Sequence, residues 1–219
     1  NILIDLHKGG VVKLCDFGLS KIFQRYQTNG IHKQQIDGEI VTLYYRAPEL
    51  FLSSQHDHKY HESPAIDMWS IGCILAELIN SSLRALFKAD LKKKTSAKER
   101  NKAIVRSMCY FLGVPYSAKQ AFQDDDDEKE HRVWNGVEQL CEYETYEVDR
   151  LRHQYNWKGC LDQKLKFRSG AQQDLIYKLL RMDPTHRLSV QDALKHVYFG
   201  NMQQTLLFAN GQCPYLKDL

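Results

Sequence analysis

The chain has 219 residues, of which 43% are hydrophobic and 26% are charged. These fractions are ordinary for a globular protein, and they exclude collagen-like, low-complexity and fully disordered chains. The 30 Lys and Arg residues against 27 Asp and Glu leave a net charge of +3, too small to favour nucleic acid or an anionic membrane as the main partner. The six cysteines form no CxxC pair, so the sequence predicts neither a zinc ribbon nor a disulfide framework.

The N-terminal residues predict a β-hairpin. Short β-favouring runs at 2–4 and 11–15 are joined by polar, turn-rich residues at 5–10. The sequence begins at Asn1, without Met, directly before an apolar run. We therefore expect Asn1 to lie inside a longer fold. Residues 19–42 lack sustained periodicity and predict a long loop of the kind that often carries function.

Helices are predicted for most of the remaining chain. Residues 66–80 carry apolar side chains on nearly every face, which predicts a helix in the centre of a helical domain, with Trp69 and Cys73 in its core. Shorter helical patterns occur at 104–113, 172–181 and 190–196. Basic and acidic runs between 88 and 165 indicate an insertion.

Five landmarks follow one another in the sequence: Asn1, Asp16-Phe17-Gly18, Ala47-Pro48-Glu49, Asp67-Met68-Trp69-Ser70-Ile71-Gly72 and Arg187. Each alone is a weak signal, but in this order they resemble the C-terminal lobe of a eukaryotic protein kinase. The resemblance implies a mainly α fold, a helical bundle with a short β-hairpin near the N-terminus. It also implies a partial kinase domain at 1–199, with an insertion around 88–165, and a C-terminal extension at 200–219.

The resemblance implies transfer of the ATP γ-phosphate with the help of Mg²⁺, which hard oxygen ligands hold. Asp16 would bind the metal that bridges the β- and γ-phosphates, and Asn1 would bind the second Mg²⁺ through its amide oxygen. Cys15 and Phe17 would lie at the nucleotide site, where Phe17 would set the placement of Asp16. Without the other landmarks, Asp16 and Asn1 would be an ordinary turn residue and a solvent-facing residue.

Three further residues are expected to have structural roles. Glu49 and Arg187 resemble the kinase ion pair that ties the end of the activation segment to the distal helices. Asp67 resembles the residue that braces the backbone of the catalytic loop. None of the three would touch substrate.

Residues 41–49, with the sequence VTLYYRAPE, resemble the branch of cyclin-dependent and mitogen-activated kinases, the CMGC group. In that group Thr42 would hydrogen-bond the catalytic aspartate and lysine, and Arg46 would turn a backbone carbonyl, that of Val41, away from the substrate. The residue after the phosphoacceptor would then find no partner for its N–H. Proline has no N–H to leave unsatisfied, so the resemblance implies a preference for Ser/Thr-Pro sites.

The activation loop departs from the mitogen-activated pattern. Counting back from Glu49, Asp37 and Glu39 stand where a phosphorylated T-x-Y pair is expected. They are either permanent stand-ins for phosphates or a solvated acidic loop in a shifted register, and a carboxylate supplies less charge than a phosphate.

Three functions remain open. The first is a fragment of a proline-directed Ser/Thr kinase, inactive alone because the H-R-D aspartate, the Gly-rich loop and the strand lysine would precede Asn1. The second is a pseudokinase or remnant lobe that acts as a protein-binding scaffold, and the third is a helical binding module unrelated to kinases. The kinase hypothesis implies Ser/Thr-Pro protein substrates, the N-terminal lobe of the same kinase, a regulatory subunit or upstream kinase, and a cytoplasmic or nuclear location.

Overall fold

A computed structural model describes residues 1–8, 10–20, 43–53, 63–80, 84–88, 95–117, 132–155 and 159–200. The chain forms two compact units, Asn1–Ile40 and Val41–Leu219. The described part is mainly helical, with one two-stranded sheet, and this confirms the predicted fold class. None of the helices in this part is both long enough and apolar enough to cross a lipid bilayer.

The first unit contains the predicted hairpin. Strands β1 (Ile2–Asp5) and β2 (Val11–Leu14) pair antiparallel, in a register that sets Ile2 opposite Leu14 and Asp5 opposite Val11. A 3-10 turn at Leu6–Lys8 leads into Gly10, whose φ of 85° lies in the left-handed region that glycine adopts without steric cost. The N–H of Gly10 donates to the carbonyl of Asp5 and closes the loop.

The second unit begins with two helices around its core. Helix α1 (Pro48–Leu52) starts with proline at its first position, where a missing N–H costs nothing. Helix α2 (Ala65–Asn80) confirms the predicted core helix and buries five residues on one face, Met68, Trp69, Gly72, Cys73 and Ala76. The expectation of a helix buried on nearly every face is wrong, because Ile71 and Leu78 are 40% and 68% exposed. Apolar residues are common on protein surfaces, so composition alone does not show how many faces are covered.

Helix α3 (Ala97–Leu112) is longer than the predicted segment 104–113. A capping box adds its first turns: the Ser96 hydroxyl accepts from the N–H of Glu99, and the Glu99 carboxylate accepts from the N–H of Ser96. The inner face of α3 buries Ile104, Val105, Met108, Cys109 and Leu112. Much of the core therefore comes from the region in which an insertion is predicted.

Four shorter α-helices follow α3 in the described residues: α4 (Val148–Tyr155), α5 (Leu161–Lys164), α6 (Gly170–Leu179) and α7 (Val190–Leu194). Serine hydroxyls cap two of them, Ser169 on α6 and Ser189 on α7. The main core also contains Trp69 stacked on Phe87, with ring centroids 5.3 Å apart, and the fully buried Trp134. Helices α2 and α6 pack closely, because Gly72 lies against Leu179 and Leu180.

Candidate functional site

The hairpin brings Asn1 and Asp16 together. The N–H of Cys15 donates to the carbonyl of Asn1 at 2.9 Å, which continues the strand pairing beyond Ile2 and Leu14. The Asn1 side chain then reaches one residue further, and its Nδ2 donates to Oδ2 of Asp16 at 3.4 Å. The strand register thus places an amide and a carboxylate side by side.

The backbone of Asp16 lies in the left-handed region, with φ 63° and ψ 67°. Asp and Asn occupy this region more often than other non-glycine residues do. The turn leads from β2 into a 3-10 helix at Phe17–Leu19, and the Asp16 side chain makes no capping hydrogen bond to that helix. The carboxylate is therefore directed to Asn1 rather than used to close the local turn.

The Asn1 and Asp16 side chains fit the metal that the sequence predicts. Mg²⁺ prefers hard oxygen ligands, and a carboxylate with an amide oxygen supplies two of them. The Asn1 amide uses its nitrogen toward Asp16, which leaves the amide oxygen for a cation. One or two protein ligands suffice for Mg²⁺ in a phosphoryl-transfer site, because phosphates and water complete its shell.

The two other predicted nucleotide-site residues flank Asp16. Cys15 is half-buried at the end of β2, and the Phe17 ring is 65% exposed. Their contact with a nucleotide stays a prediction. Four further predicted residues, Asp37, Glu39, Val41 and Thr42, lie outside the described residues.

Tyr45, in the described residues 43–53, is anchored on α2. The Tyr45 hydroxyl donates to Oε2 of Glu77 at 3.1 Å, and the Ser70 hydroxyl donates to the Tyr45 carbonyl at 2.9 Å. Burial, followed by the nearby Glu77 carboxylate, raises the pKa of the Tyr45 phenol, so the hydroxyl keeps the proton that it donates. The pairing of Tyr45 with Glu77 has no signal in the sequence other than the polar residue on an apolar helix.

Arg46, the residue predicted to set proline selectivity, is buried to 7% exposure. Its guanidinium lies 5.4 Å from the centre of the Phe51 ring on α1, within the range of a cation–π contact. Its effect on the carbonyl of Val41 stays a prediction, because Val41 lies outside the described residues.

Glu49 and Arg187 form a buried, bidentate ion pair. Arg187 Nη1 donates to Glu49 Oε1 at 2.7 Å, and Nη2 donates to Oε2 at 2.8 Å. Both side chains are fully excluded from solvent. The pair joins the start of α1 to the segment before α7, in the positions that the kinase resemblance implies.

The Arg187 guanidinium also bonds three backbone carbonyls. Nε donates to the carbonyl of Arg181, Nη1 to that of Ala65, and Nη2 to that of Met182. All five N–H groups of the guanidinium are thus satisfied, which a buried arginine needs. The Trp69 ring lies 5.1 Å from the guanidinium carbon. The sequence does not indicate these carbonyl and ring contacts.

Asp67, the third predicted structural residue, lies in the first turn of α2. Desolvation raises the pKa of its carboxyl. Its predicted role in bracing a catalytic loop stays a prediction.

Comparison with known proteins agrees with these landmarks. The protein kinase domain family matches residues 1–199. The serine/threonine-protein kinase ssn3 of Aspergillus niger is 31% identical over 92% of this chain and 46% of its own length. The serine/threonine-protein kinases SSN3 of Kluyveromyces lactis and of Eremothecium gossypii are each 34% identical over 92% of this chain and 30% of their own lengths.

The chain thus spans less than half the length of these relatives. The match nevertheless covers all five landmarks, from Asn1 to Arg187. A helical binding module unrelated to kinases is therefore excluded. The chain belongs to the protein kinase domain family.

Proposed function

We propose that this chain forms the metal-binding and substrate-positioning part of a protein serine/threonine kinase that phosphorylates Ser/Thr-Pro sites. The observation that carries the proposal is the contact of 3.4 Å between Asn1 and Asp16, which pairs the two oxygen-bearing side chains that the chemistry needs. Bound Mg²⁺–ATP supplies the phosphoryl group and neutralises its charge.

The residues of this chain then have separate tasks. Asp16 and Asn1 hold the metal through oxygen atoms, with Cys15 and Phe17 beside the nucleotide. Thr42 supports the catalytic aspartate and lysine through its hydroxyl. The ion pair of Glu49 and Arg187 holds the start of α1 in place, with no contact to the substrate.

Proline selectivity is assigned to Arg46 and Val41. The supporting observations are the burial of Arg46 against Phe51 and the two hydrogen bonds that hold Tyr45 on α2. When Arg46 turns the Val41 carbonyl away from the substrate, the N–H of the residue after the phosphoacceptor has no partner. An unsatisfied buried donor costs about 1–3 kcal/mol. A substrate with proline after the phosphoacceptor avoids that cost.

The 219 residues include no H-R-D triplet, so we propose that this chain alone does not transfer phosphate. We also propose that an upstream kinase or a bound subunit regulates the protein. Asp37 and Glu39 would lie in the activation loop, where a phosphorylated pair is expected. A scaffold without catalysis is the alternative.

The test uses the whole protein that contains this chain, with radiolabelled ATP and a protein substrate. We expect Asp16→Asn to reduce phosphate transfer at least about a hundredfold, because metal-held charge stabilisation is a major part of this chemistry. Asp5→Asn is the matched control. It removes a carboxylate from the same hairpin, but one that pairs with Lys13 and not with Asn1. No transfer by the unmodified protein, with partner binding retained, would support the scaffold instead.

Metal binding can be measured apart from activity. Mn²⁺ in place of Mg²⁺ gives a paramagnetic signal that changes on binding. We expect the unmodified chain to bind Mn²⁺ more tightly than the Asp16→Asn variant, and the Asp5→Asn variant to bind as the unmodified chain does. Equal binding by all three would argue against the metal pair.

A further inference from the structure

Helix α3 carries a stripe of cationic side chains at every fourth position. Lys98, Lys102 and Arg106 follow a spacing that aligns them along one side of a helix. Lys98 and Arg106 are exposed, and the Lys102 side chain is 36% exposed. Arg150 on the neighbouring α4, 67% exposed, extends the same charged surface. We call these four residues the basic stripe.

Within the described part of the chain, the Glu147 carboxylate contacts two members of the basic stripe. Glu147 Oε1 lies 2.9 Å from Lys102 Nζ, and its Oε2 lies 3.6 Å from Arg150 Nη1. Glu147 precedes α4 with a φ of 55°, a left-handed conformation that is unfavourable for a residue other than glycine. Its contacts show that a protein carboxylate fits between the cations.

The electrostatic surroundings of Glu147 are cationic among the described residues. The hydrogen bond and charge of Lys102, followed by the charges of Arg150 and Arg106, hold the pKa of the Glu147 carboxyl below its usual range. Three of the four cations therefore act on one carboxylate, and the function proposed above does not involve them.

The length of the basic stripe matches an extended peptide. The helix rises about 12 Å over the eight residue steps from Lys98 to Arg106, or about 6 Å between successive cations. Alternate side chains of an extended chain lie about 6.6 Å apart on the same face. Carboxylates at alternate positions of a short extended segment can therefore each approach one cation.

We propose that the basic stripe is a docking surface for an extended acidic segment of a partner protein, with carboxylates at alternate positions. Glu147 sits in the middle of the surface and competes with the partner for Lys102 and Arg150. An acidic peptide is favoured over nucleic acid because a carboxylate already occupies the centre of the surface, and because the net charge of the chain is only +3.

The test is fluorescence anisotropy of the 219-residue chain with a labelled peptide in which Glu alternates with Ser. Two variants probe the surface in opposite directions. Lys98→Gln with Arg106→Gln removes two cations, and we expect binding to weaken on the order of tenfold. Glu147→Gln removes the competing carboxylate, and we expect binding to tighten severalfold.

Matched controls separate this surface from general charge attraction. Lys166→Gln with Lys195→Gln removes the same charge from exposed positions elsewhere, and we expect binding to change less than about twofold. A peptide with Gln in place of Glu should not bind. Equal weakening by both double variants, unchanged binding in Glu147→Gln, absence of saturable binding, or tighter binding of a thymidine oligonucleotide than of the Glu peptide would each overturn the proposal. Thermal unfolding of each variant verifies that the fold is intact.

Discussion

Arg187 bonds both carboxylate oxygens of Glu49 from a position 138 residues later in the chain. The same guanidinium bonds three carbonyls, of Arg181, Ala65 and Met182, so it connects α1, the start of α2 and the segment after α6. The ion pair therefore ties α1 to α2 and to the segment after α6.

We expect Arg187→Ala to reduce the free energy of unfolding by about 3–5 kcal/mol, because it leaves the Glu49 carboxylate buried and unpaired. Glu49→Gln should cost less, since the amide oxygen still accepts one hydrogen bond. Urea denaturation followed by circular dichroism measures both changes. The double variant should show a coupling energy above about 1 kcal/mol, and strictly additive effects would contradict the paired arrangement.

Gly72 on α2 tests the close packing of α2 against α6. A Cβ at this position would lie 2.8 Å from Leu180 Cδ2 and 3.0 Å from Leu179 Cβ. We expect Gly72→Ala to lower the free energy of unfolding by about 1–3 kcal/mol through overpacking. Gly170→Ala is the control, because nothing lies within 4 Å of its added Cβ. Equal stability of the two variants would show that α6 yields at Gly72.

Glu147 allows backbone strain to be separated from its ion pairs. Glu147→Ala and Glu147→Gly both remove the contacts with Lys102 and Arg150, but only glycine adopts the φ of 55° without strain. We expect the glycine variant to be more stable than the alanine variant by about 1 kcal/mol. Chemical denaturation of the two variants gives this difference, and an alanine variant of equal or greater stability would contradict the strained backbone.

The Ser96 cap predicts a pH effect at the start of α3. Hydrogen bonds from the backbone N–H and the hydroxyl of Ser96 hold the pKa of the Glu99 carboxyl below its usual range. A lowered pKa in the folded state means that the charged carboxylate stabilises the helix above the usual pKa of glutamate. This contribution is lost as the pH falls through the lowered value.

Titration of the Glu99 carboxyl carbon by NMR measures that pKa. We expect Ser96→Ala to raise it toward the usual range, since the hydroxyl no longer donates. The Ser189→Ala variant removes a similar cap from α7 and should leave Glu99 unchanged. An unchanged Glu99 pKa in Ser96→Ala would show that the hydroxyl bond does not contribute.

The sequence predicted local elements better than the ends of those elements. The hairpin and the helix at 66–80 follow from short-range patterns, and both are present in the structure. Apolar periodicity does not predict the first turns of α3, because Ala97–Ala103 is mostly polar, and the Ser96 and Glu99 capping box extends the helix there. The spacing of apolar residues does not indicate where a capping box starts a helix.

The candidate site was predictable only where ordered landmarks exist. The kinase resemblance predicts Asn1, Asp16, Glu49 and Arg187, and the structure pairs Asn1 with Asp16 and Glu49 with Arg187. The bond between Tyr45 and Glu77, the Trp69 ring beside Arg187 and the carbonyls around that guanidinium were not predicted. These contacts depend on how helices pack in three dimensions, which residue spacing along the chain does not encode.

Substrate choice tests the central claim most directly. The measurement is the rate of phosphate transfer by the whole protein that contains this chain, to two peptides that differ only in Pro or Ala after the acceptor serine. We expect the Ser-Pro peptide to react at least about tenfold faster, as expected from the cost of an unsatisfied buried N–H. Arg46→Ala should reduce this ratio. Equal rates for the two peptides, or faster transfer to the Ser-Ala peptide, would contradict a proline-directed kinase.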